Sequence, residues 1–61
     1  MISVATMVAQ LEALLGTKDL SAWEHDFVRS VSERVQMWGG TTRLTAAQVN
    51  KLEQVYRRHF A

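Results

Sequence analysis

Apolar residues recur at helical spacing in three blocks along the chain. In the first, Val4, Met7, Val8, Leu11, Leu14 and Leu15 fall on one helical face about 120° wide at about 100° per residue. In the second, Trp23, Phe27, Val31 and Val35 stand at successive i, i+4 positions, with Val28 and Trp38 on the same flank. In the third, Val49, Leu52, Val55, Tyr56 and Phe60 share a face expected to be buried, while Ala47, Asn50, Lys51, Gln54, Arg57 and Arg58 point the other way. The pattern predicts an all-α, small three-helix bundle with helices near 3–15, 21–38 and 45–60, in one domain spanning 1–61. Trp23, Phe27, Val31 and Val35 are expected to be buried. Trp38, beyond the last full turn and beside Gly39-Gly40, is the stripe member whose burial the pattern does not secure.

The boundaries are marked by polar caps and glycines. Ser3 is placed to cap the first helix, and Gly16 stands where a left-handed C-terminal residue belongs, before the polar connection Thr17-Lys18-Asp19. Ser21 and Glu24 have the S-x-x-E spacing of a capping box, and Asp26 lies near the same positive helix end. Gly39-Gly40 closes the second helix, because each glycine costs about 1 kcal/mol relative to alanine in a helix interior. Thr45 and Gln48 form a second box, with Leu44 and Val49 at the positions of a hydrophobic staple. Proline is absent from the sequence, as uninterrupted helices require.

Size and composition narrow the chemistry. A chain of 61 residues buries only about 60% of its unfolded surface on folding, so it leans on staples, partners or very regular packing. Cysteine is absent, which removes disulfides and thiolate catalysis, and a homodimer formed through the first helix would compensate for a small core. The net charge of +1 is too small to steer the whole molecule toward a polyanion. Its distribution is uneven: residues 1–42 carry −2 and residues 43–61 carry +3. No run approaches the roughly 18 apolar residues of a membrane span. The apolar segment Met1 to Leu15 has no basic leader and is interrupted by Gln10 and Glu12, so it reads as a structural helix of a cytoplasmic protein rather than a signal peptide.

Catalytic constellations are hard to assemble. Glu24-His25-Asp26 points its side chains about 100° apart on a helix and reads as a cap plus a solvated face. His59 reads as a partly buried or dipole-facing histidine. The two histidines lack zinc-ligand spacing, and Gly39-Gly40 lacks the Gly-Lys-Ser/Thr continuation of a phosphate loop. No catalytic, cofactor-binding or metal-binding residue is assigned, and an enzyme is not expected. Two binding surfaces remain. Lys51, Gln54, Arg57 and Arg58, with Asn50, could contact bases and phosphates, although the connection from Trp38 to Leu44 is longer than a helix-turn-helix allows. Arg34, Met37 and Trp38 combine the residue types that protein interface cores favour.

Leu20, Ser21, Trp23, Glu24, Phe27, Val28 and Val31, followed by Leu44, Thr45, Gln48, Leu52, Val55, Tyr56, Arg57 and Arg58, resemble a pattern of short helical segments in phage and prophage proteins. The resemblance covers about two thirds of the chain. It implies a mobile-element origin, often in proteins of DNA metabolism, and brings no functional residues with it. This chain departs from the pattern by inserting Trp38-Gly39-Gly40-Thr41-Thr42 and by its additional N-terminal helix. The expected function is that of a small, phage-encoded, non-catalytic protein that binds and modulates a host or phage protein, in the manner of an inhibitor. Accessory nucleic-acid binding through the third helix is the alternative.

Overall fold

The computed structural model describes residues 2–60. Among them are three helices and no strand: α1 (Val4–Glu12), α2 (Ala22–Trp38) and α3 (Ala46–Phe60). Every helix packs against both others. The Cα radius of gyration is 10.5 Å, matching the roughly 10.5 Å expected of a compact chain of this length, so no element stands away from the bundle.

All three helices begin as their sequences dictate. The Ser3 hydroxyl accepts from the Thr6 N–H at 3.1 Å. The Ser21 N–H donates to Glu24 Oε1 at 2.9 Å while the Glu24 N–H donates to Ser21 Oγ at 3.3 Å. Thr45 and Gln48 repeat this exchange at 2.9 and 3.1 Å. Each box satisfies two backbone donors that the helix itself leaves unpaired.

The helix ends differ from one another. Gly39 takes the left-handed conformation (φ 73°), and both its N–H and that of Gly40 donate to Val35 O. The side-chain-free residue sits where a Cβ would meet the carbonyl. Gly16 does not play the matching part at α1, where the expected left-handed cap is absent. Ala13 caps α1 in right-handed geometry, two residues before the expected end. Leu14, Leu15 and Thr17 then donate to carbonyls three residues back, so the helix tightens into successive short turns. That path still brings Leu14 and Leu15 against the core.

The core consists of Met7, Val8 and Leu11 of α1, Leu20, Val28 and Val31 at and within α2, and Leu52 and Val55 of α3. The apolar stripe of α1 is thus covered by the other two helices. On α2 the packed face is rotated from the one expected. Glu24, Val28, Val31 and Ser32 are buried, Phe27 and Val35 are half-buried, and Trp23 is 46% exposed. Trp23 lies about 100° around the helix from Glu24. The β-branched valines form the narrow seam through which α2 approaches its neighbours, and the indole is displaced to the margin. Phe60 is likewise 43% exposed rather than buried, stacked on Tyr56 with centroids 4.9 Å apart.

Candidate functional site

The polar residues of α2's first turn do not form a solvated face. Glu24 is only 2% exposed, and its carboxylate gathers three donors, one from the start of α2 and two from the end of α3. Oε1 accepts from the Ser21 N–H and from His59 Nε2 at 3.2 Å, and Oε2 accepts from Arg58 Nη1 at 3.2 Å. The Ser21 backbone N–H is the chief influence holding the Glu24 carboxyl below its ordinary range, with His59 adding to it and burial opposing it. The macrodipoles assist: the carboxylate sits at the positive end of α2 and the Arg58 guanidinium at the negative end of α3. The arrangement is a clasp between the start of α2 and the end of α3. The carboxylate is buried and bonded to groups that hold the fold together.

His25 is a second tie. Its Nε2 lies 3.1 Å from Leu15 O, and because a carbonyl can only accept, the ring donates there. This holds the α1–α2 connection against α2, with Nδ1 left 3.8 Å from Asp26 Oδ1. Asp26 alone of the acidic pair is in solvent. Among the described residues no group of three or more His, Cys, Asp or Glu is placed to hold a metal ion.

The exposed apolar surface lies elsewhere on α2. Met37, Trp23, Arg34, Phe27 and Trp38 fall within an arc of about 100° when projected down the helix axis. Met37 is 79% exposed, Arg34 is exposed, and Trp38 is half-buried. Trp23 packs on Phe27 with ring centroids 6.3 Å apart, and the Lys51 ammonium stands 5.6 Å from the Trp23 ring. That contact fixes which side of α3 borders this flank. Lys51, Gln54 and Arg58 share a margin of α3 within about 60° of one another, whereas Arg57 lies about 100° from Arg58.

The expected partner-binding residues Arg34, Met37 and Trp38 therefore share one flank, and Trp23 extends it by about three turns toward the start of α2. Periodicity placed Trp23 in the core, so the flank's largest exposed side chain was hidden by the stripe to which it belongs. The four candidate nucleic-acid contacts, Lys51, Gln54, Arg57 and Arg58, are all exposed, but two are engaged within the chain, Lys51 over Trp23 and Arg58 on Glu24.

No helix among the described residues is long and apolar enough to cross a membrane. No protein-family model, curated protein or solved structure matches the chain.

Proposed function

We propose that this chain is a non-catalytic helical protein that binds a protein partner through the α2 flank running from Trp23 to Trp38, and that it modulates that partner by occupying its surface. The observation that carries the reading is the exposure of Trp23 and Met37 on a single flank. A chain this short of core gains stability from burying large apolar side chains, yet leaves these two in water. Tryptophan, methionine and arginine together are the composition of interface centres. The resemblance to phage and prophage segments supplies the proposed origin, and with it a host or phage protein as the target.

The test is a pull-down from bacterial lysate followed by affinity measurement with the purified partner. Trp23→Ala and Met37→Ala are expected to keep the far-UV helicity and to weaken binding at least about tenfold each, as interface anchors do. Unchanged affinity in both variants would place the interface elsewhere.

Nucleic-acid binding is kept as a second reading because Lys51, Gln54, Arg57 and Arg58 are all exposed on α3. It predicts association that weakens steeply with salt, each phosphate contact contributing about 1 to the slope of log K against log salt. Absence of DNA and RNA binding at low ionic strength would remove it.

A further inference from the structure

The surroundings of Trp23 carry information about what the partner must look like. The indole is an exposed apolar plate beside Phe27, and Lys51 holds its ammonium 5.6 Å from the ring centroid. Among the described residues Lys51 has no carboxylate ion-pair partner, since the three ion pairs involve only His25, Arg58 and His59. A cation positioned over an aromatic face retains unsatisfied donors directed outward. Two complementary demands thus lie side by side, an apolar surface and a localised positive charge.

We infer that the partner presents an acidic, amphipathic peptide segment, with an apolar side chain against Trp23 and Phe27 and a neighbouring carboxylate at Lys51. This rests on the proposed docking of a protein at the α2 flank and names the partner's chemistry. The charge pattern selects a carboxylate-bearing segment over a nucleic acid strand. Arg58, the other cation on this margin of α3, is engaged by the buried Glu24. Asp26, its side chain 82% exposed, lies about 60° around α2 from Trp23. A strand carrying a phosphate at every nucleotide would meet that negative charge and find Lys51 as the one cation near the indole without an ion-pair partner, whereas a single carboxylate needs only Lys51. Discrimination by one opposite charge beside an apolar anchor is a common division of labour in recognition, the anchor giving affinity and the charge specificity.

The test is selection of random 12-residue peptides by surface display on the immobilised intact chain, followed by titration of enriched peptides and of a single-stranded oligonucleotide. The expected result is enrichment of Asp or Glu within a few residues of an aromatic or aliphatic side chain. Binding should fall at least about tenfold in Trp23→Ala and in Lys51→Glu, with Lys51→Arg retaining it. Enriched peptides that lose binding in Trp23→Ala but are neutral and indifferent to Lys51→Glu would overturn the acidic-segment proposal while leaving the docking flank intact. Peptides indifferent to Trp23→Ala, or no enrichment, would overturn both. Oligonucleotide binding that depends on Trp23 and Lys51 and exceeds that of the peptides would overturn the inference in favour of a nucleic acid, and self-association lost in the same variants would do so in favour of a second copy.

Discussion

Arg58 and Glu24, 34 residues apart in sequence, meet with Nη1 3.2 Å from Oε2, and His59 takes the other carboxylate oxygen. This contact ties the capping box of α2 to the last turn of α3, so one side chain serves both a local helix start and the closure of the bundle. Removing it should be costly. Glu24→Ala deletes half of the box, worth about 1 kcal/mol, and leaves the largely buried His59 ring N–H and the Arg58 guanidinium without their acceptor, worth a further roughly 1–2 kcal/mol. A net loss of about 2–3 kcal/mol is expected in urea denaturation, most of the roughly 3–5 kcal/mol a core of this size supplies. Arg58→Ala should cost less than about 1 kcal/mol, because its own side chain is 61% exposed. Equal losses in the two variants would show that Glu24 acts only through Arg58.

The same carboxylate gives the fold an acid-sensitive component. Glu24 is held below its ordinary value of 4.5 in the folded chain, chiefly by the Ser21 N–H, so the unfolded state binds the proton more readily. Its contribution is complete above the unfolded value and is lost as pH falls through the lower folded value. The facing groups are Arg58 and His59 of α3. The stability difference between the native chain and Glu24→Gln, followed by urea midpoint, should therefore be constant above the ordinary carboxylate range and shrink in stronger acid. A difference that stays constant throughout the acid range would remove Glu24 as the source.

Two glycines provide opposite outcomes from the same substitution. At Gly39 the backbone φ of 73° is one that a Cβ opposes by about 1–2 kcal/mol, so Gly39→Ala should lower stability by about that amount. Gly16 lacks a positive φ, and a Cβ added there meets nothing within 4 Å. Gly16→Ala should raise stability by about 0.4–1 kcal/mol by restricting the unfolded chain. Thermal midpoints moving in opposite directions would confirm both; a fall at Gly16 would indicate a left-handed requirement there.

These contrasts mark where sequence reading succeeds and where it stops. Ser21 with Glu24 and Thr45 with Gln48 were legible because both partners of each bond lie within one turn, and the helix faces of Met7–Leu11 and Leu52–Val55 because burial there follows apolarity. The clasp was not legible, since nothing in a pattern of nearest turns links Glu24 to residues 58 and 59. Nor was the rotation of α2. Hydrophobic weight places the largest side chain at the centre of a stripe, whereas close helix approach favours the narrow valines, and the polar Glu24 takes the buried position because α3 supplies its partners. Gly16 shows the same limit in the backbone, where a helix can end by tightening as well as by a left-handed residue.

Trp23 and Leu52 should therefore separate folding from binding. Leu52 is completely buried, and Leu52→Ala should cost about 2–5 kcal/mol through lost transfer energy and the cavity left behind, enough to leave the chain largely unfolded. Trp23→Ala removes a larger side chain from the margin, where nearly half its surface already meets water and the Lys51 contact contributes about 0.5–1 kcal/mol. We expect a loss of about 1 kcal/mol in stability with helicity retained. Thermal melts of the two variants check this directly. If Trp23→Ala unfolds the chain as Leu52→Ala does, the indole belongs to the core and its exposed face is incidental. If it does not, the Trp23 indole is dispensable for folding, which is the condition a binding residue must meet before loss of a partner in the same variant can be attributed to the interface.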